Sequence, residues 1–97
     1  MAEVIYSAEA LADLERIIDF LLETSPETAE KALAQIRSAI TILASHPHIG
    51  RRVDRVRREL VITYGASGYL ALYRHDARPD VTRILRVRHQ REAGYID

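Results

Sequence analysis

In the first half of the chain, hydrophobic positions recur at helical spacing. Leu11, Leu14, Ile17/Ile18 and Leu21/Leu22 form one stripe, and Ala29, Ala32/Leu33, Ile36, Ala39/Ile40 and Leu43 form a second. Apolar residues three and four apart share one face of an α-helix, so each segment predicts an amphipathic helix. Ahead of the first stripe, "EVIY" reads as a short β-branched strand, and Ser7 stands where an N-cap is expected. Glu9, Asp13, Glu15, Asp19 and Glu23 are assigned to the outer face of that helix. "TSPET" divides the two helices: Ser25 can cap, Pro26 suits the first helical position, and Glu27 complements the positive end of the helix dipole. The second helix is expected to run out at His46-Pro47, because proline disfavours helical backbone in the residue before it. With so short a connection, the pair forms an antiparallel hairpin.

After "HPHIGRRVDR" the period changes to two. Leu60, Ile62 and Tyr64 alternate with Glu59, Val61 and Thr63; "GASG" makes a turn; Tyr69 to Arg74 alternates again; and "HDARPD" turns into a last strand from Val81 to His89. Strands joined by such short loops pair antiparallel. The order β-α-α-β-β-β therefore predicts a two-layer α+β fold, an N-terminal helical hairpin packed on one face of a small, mainly antiparallel sheet. The other sheet face is expected to be solvated or to meet a partner. With 97 residues and no repeat or linker-like stretch, one domain over residues 1–97 is expected.

Charge alters this picture. Lys and Arg number 14 against 14 Asp and Glu, yet residues 1–48 hold 3 against 8 and residues 49–97 hold 11 against 6. The chain is neutral but polarised. All of its cations except Lys31 are arginine, the planar, permanently charged fork that suits phosphate and carboxylate, although high-GC codon usage would give the same bias. No cysteine is present, which excludes disulfides and thiolate zinc sites and suits a reducing, cytoplasmic setting. The N-terminal apolar pattern is interrupted by acids, unlike a secretory segment or a membrane span. His46 and His48 flank Pro47 without a third ligand at a recognised spacing, so neither a metal nor another cofactor is expected.

Strand alternation places Val81, Arg83, Leu85, Val87 and His89 on one face of the last strand and Thr82, Ile84, Arg86 and Arg88 on the other. Leu85 and Val87 are expected to hold the strand to the helices. Arg86 and Arg88 would then stand about 7 Å apart on the open face. A ribonuclease that uses the substrate's own 2′-hydroxyl needs a base, an acid and cations around the phosphorane, and no metal. His89 could be base or acid, Tyr95 a proton donor, and Arg88 or Arg91 the charge holders. A structural His89, bonded to fix the strand, and a packed or disordered Tyr95 are the competing readings.

Four segments in order, "IYSAEALADLERIIDFL", "ILASHPHIGRRV", "YLALYR" and "VTRILRVRHQRE", resemble the RelE/ParE superfamily of type II toxin–antitoxin toxins over nearly the whole chain. The most specific elements are Leu43, Pro47, Gly50 and Arg51 in one pattern, the strand ending Tyr73-Arg74, and Ile84-Leu85-Arg86-Val87-x-His89. The resemblance implies the fold already derived and a cognate antitoxin whose C-terminal segment wraps the toxin. Arg51, Arg58, Arg74, Arg86, Arg88, His89 and Arg91 are then candidates for binding an acidic antitoxin segment or the cellular target.

Within the superfamily, RelE-like members cut mRNA on the ribosome with basic and aromatic residues, whereas ParE-like members poison DNA gyrase and generally lack the nuclease set. This chain has no lysine after Lys31, and Gln90 follows His89 where one nuclease relative has tyrosine. The tight helical hairpin and the Val-x-His-Gln ending resemble ParE. Arg91 and Tyr95 lie near where RelE-like toxins place an arginine and a tyrosine. A ParE-like gyrase inhibitor active in plasmid stabilisation is the favoured expectation. A ribosome-dependent endonuclease using Arg88, His89, Arg91 and Tyr95 is the alternative.

Overall fold

The computed structural model describes residues 1–96. Its order is β1 (Glu3–Tyr6), α1 (Ala8–Leu22), α2 (Pro26–Thr41), a 3-10 turn (Ile42–Ala44), β2 (Arg51–Arg52), β3 (Arg57–Tyr64), β4 (Ser67–Asp76) and β5 (Val81–His89). The five strands form one sheet in the order β1-β5-β4-β3-β2. All neighbours are antiparallel except β1 and β5, which run parallel, with α1 and α2 as the crossover. The expected order thus holds, with the two-residue edge strand β2 as an addition.

Local chemistry explains the elements. Ser7 accepts the Ala10 N–H at 3.0 Å, and Ser25 accepts the Thr28 N–H at 3.3 Å, so both predicted caps form. Ala10, Leu14, Ile17, Ile36, Ile40 and Leu43 pack on Ile62, Ala71, Tyr73, Ile84 and Val87, which places the core between hairpin and sheet. Leu11 and Leu22, expected in the buried stripe, lie exposed, and Asp13, expected outside, is buried. The face of α1 toward the sheet is therefore Ala10, Asp13, Leu14 and Ile17.

The last strand also departs from simple alternation. Leu72 pairs with Arg86 and Tyr73 with Ile84, so Leu85 is an extra residue, a β-bulge. The bulge puts Ile84 and Val87, not Leu85 and Val87, on the core face. It also moves Arg83, opposite Arg74, onto the same face as Arg86 and Arg88. Because β1 accompanies β5 only as far as Ile84, the rest of that edge would be unpaired. The start of α1 covers it: the Ser7 hydroxyl donates to the Leu85 carbonyl at 2.9 Å, and Asp13 accepts the Val87 N–H at 2.9 Å.

Candidate functional site

The sheet face away from the helices carries Glu59 from β3, Leu70, Leu72 and Arg74 from β4, and Arg83, Arg86 and Arg88 from β5, as cross-strand pairing dictates. Arg51 of β2 pairs with Glu59 at its edge. Tyr95, beyond the last strand, lies over this face. Its hydroxyl donates to Glu59 at 2.7 Å, and its ring centroid is 5.6 Å from the Arg86 guanidinium carbon and 5.3 Å from that of Arg88. The Arg51 guanidinium donates to the other Glu59 oxygen.

Electrostatics follow from that geometry. Burial alone would raise the Glu59 carboxyl, but hydrogen bonds from Arg51 and Tyr95 and the charges of Arg51 and Arg88 outweigh it, holding Glu59 below the ordinary carboxylate range. Burial, the hydrogen bond to Glu59 and the Glu59 charge push the Tyr95 phenol well above its ordinary value. Tyr95 therefore keeps its proton and Glu59 its charge near neutrality.

The structure distributes the sequence candidates over two faces. Arg51, Arg74, Arg86 and Arg88 share the open face. Arg86 is drawn to Asp13 at 2.8 Å and also donates to the Ile96 carbonyl, while Arg74 pairs with Asp76 at 3.1 Å. Arg58 stands opposite Tyr73 instead, donating to the His48 and Gly50 carbonyls at 3.1 and 2.9 Å. His89 stands opposite Tyr69, with their rings edge-to-face at 5.2 Å, on the core side. Its Nδ1 accepts the Arg91 N–H at 3.0 Å, which leaves the proton on Nε2, 3.2 Å from the Ser67 hydroxyl. Arg91 is exposed just past the strand.

Glu59 and Asp13 are absent from the sequence candidates. Asp13 had a readable signal, since it falls three residues after Ala10 on the buried side of α1. Glu59 had only its position as a carboxylate within "RRVDRVRREL". The pattern Leu43, Pro47, Gly50, Arg51 now has a physical meaning. Leu43 is fully buried in the core. The Tyr73 hydroxyl donates to the Pro47 carbonyl at 2.8 Å and accepts the Gly50 N–H at 2.9 Å. A β-carbon at Gly50 would lie 2.6 Å from that hydroxyl, so only glycine fits, and the loop delivers Arg51 to Glu59. No three His, Asp or Glu side chains among the described residues gather as metal ligands.

Residues 4–94 match the family model described as ParE toxin of type II toxin-antitoxin system, parDE. Toxin RelE3 of Caulobacter vibrioides is 37% identical over 92 residues, covering 95% of this chain and 98% of that protein. Toxin RelE2 of the same organism is 33% identical over 91 residues, covering 92% and 96%. A solved structure of the chromosomal ParDE system from P. aeruginosa superposes with a TM-score of 0.72 at 25% identity, covering 92% of this chain and 96% of that one.

Proposed function

Because this chain belongs to the ParE toxin family of type II toxin–antitoxin systems, we propose that it arrests growth by binding and poisoning DNA gyrase and not by cutting RNA. Membership in such a system implies an antitoxin partner. No helix among the described residues is long and apolar enough to cross a membrane.

One observation carries the choice of target. A general acid and a general base must reach the same substrate, and His89 and Tyr95 lie on opposite faces of the sheet. His89 is occupied on both ring nitrogens, and Tyr95 spends its proton on Glu59. We assign antitoxin and target contact to the open face, with the exposed guanidinium groups of Arg51 and Arg74 as first contacts and Arg86 and Arg88 beneath Tyr95, joined by the exposed Arg91 just past the strand. On this reading His89 and Arg58 hold the fold.

A second reading, ribosome-dependent mRNA cleavage, is favoured by the convergence of Glu59, Tyr95, Arg51 and Arg88. Against it, a carboxylate held below its ordinary range is a weak general base. The test is induction, without antitoxin, of wild type and of a His89→Ala, Tyr95→Phe double variant, with primer extension on cellular mRNA. The proposal expects arrest in both and new mRNA ends in neither. Cuts made by wild type and lost in a variant that still folds and binds antitoxin would refute it.

A further inference from the structure

Where β3 begins and β4 ends, a cleft of about 380 Å3 opens, within the size range of small-ligand sites, about 300–1,000 Å3. Arg52, Arg55, Arg57, Arg58 and Arg74 line it against two carboxylates, Asp54 and Asp76. Both carboxylates are already committed. Asp54 accepts the backbone N–H groups of Val56 and Arg57 at 3.0 and 2.7 Å and the Arg57 Nε at 2.7 Å. Asp76 sits between Arg74 at 3.1 Å and Arg83 at 3.2 Å. Arg58 donates to neutral carbonyls, which fixes its head without cancelling its charge. Arg52 and Arg55 are exposed and have no ion-pair partner among the described residues. His48 and His75, edge-to-face at 5.5 Å, complete one wall.

We propose that this cleft binds the phosphodiester backbone of a nucleic acid. Each guanidinium offers two parallel donors matched to two phosphate oxygens. The clamps on Arg57, Arg58 and Arg74 hold three of them in place before any ligand arrives, so ordering costs on binding are small. Arg52 and Arg55 supply uncompensated charge at the mouth. An acidic protein segment fits less well, because protein interfaces are anchored by apolar side chains and Val56 is the one aliphatic residue in the lining. Nucleic-acid interfaces are the more polar and more positive class. Ile49 and Val53, the other exposed aliphatics of the same loop, are not part of it. Contacts to phosphate position a chain without reading its sequence, so binding is expected to be sequence-independent. The site goes beyond the gyrase reading and stands or falls without it, because free nucleic acid is the ligand.

The test titrates the antitoxin-free full chain against short fluorescein-labelled DNA duplex and, separately, single-stranded RNA by anisotropy over a range of salt. Saturable, salt-sensitive binding is expected, and whichever nucleic acid binds tighter names the source of the phosphate. Arg52→Ala with Arg55→Ala should weaken binding roughly tenfold at low salt and reduce the log–log salt slope by about two. Arg37→Ala, which removes an exposed cation on α2, should change neither. The double variant touches no internal partner, and an unchanged denaturation midpoint verifies its fold. No binding, equal weakening by Arg37→Ala, or displacement by polyglutamate more effective than by unlabelled DNA of equal charge would overturn the proposal.

Discussion

The Asp13 carboxylate on α1 receives the Arg86 guanidinium through Nε at 2.8 Å and Nη2 at 3.0 Å, and it also takes the Val87 N–H at 2.9 Å. One buried side chain thus neutralises the arginine and stands in for the strand that β5 lacks at its edge. Asp13→Ala takes the carboxylate away from both groups, leaving the Val87 N–H without its acceptor and Arg86 without its ion pair, and should cost about 3 kcal/mol by urea denaturation. Asp13→Asn keeps one acceptor and should cost less. Equal, small losses in both variants would show that the contact does not support the edge.

The loop before β2 depends on one close approach. At Gly50 an added β-carbon would stand 2.7 Å from the Tyr73 ring and 2.9 Å from the Glu59 carbonyl. Tyr73 is fully buried and cannot retreat. Gly50→Ala is therefore expected to destabilise by about 1–3 kcal/mol, measured by the shift in denaturation midpoint.

These residues also mark the limits of the sequence. The helices were legible because their stripes and caps are local: Ser7, Ser25 and Pro26 act within one turn of themselves. The three longer strands were legible by their period of two. The bulge at Leu85 was not, since an inserted residue leaves no trace in a pattern that is read by assuming none. That single insertion regrouped Arg83 with Arg86 and Arg88 and exchanged Leu85 for Ile84 in the core. Tyr95 and Glu59 meet across 36 residues, a pairing fixed by the order of strands and invisible to local spacing.

Acid should act through Glu59. Its carboxyl is depressed in the fold, so its contribution is present above the unfolded value, ordinarily about 4.3, and is lost as pH falls through the lower folded value. Glu59→Gln should flatten that part of the acid stability profile. Tyr95→Phe removes one hydrogen bond to the same carboxylate and should cost about 0.5–1.5 kcal/mol near neutrality. A Glu59→Gln profile that parallels wild type below pH 5 would contradict this account.

Alkali should act in the opposite direction. Burial raises the phenols of Tyr6, Tyr69, Tyr73 and Tyr95 above their ordinary value of 10.0. A raised folded value means stability that is present below the unfolded pKa and lost as pH climbs through and beyond it. Phenolate absorbance followed together with circular dichroism should show these tyrosines ionising as the fold is lost. Their complete ionisation in a protein that is still folded would contradict the assignment.

The measurement that bears most directly on the proposed function mixes purified, antitoxin-free protein with gyrase, ATP and plasmid, then treats the products with detergent and protease. Linear DNA released in proportion to the added protein is the predicted result. Intact plasmid from a preparation that still binds its antitoxin, together with cleavage of ribosome-bound mRNA by that same preparation, would contradict it.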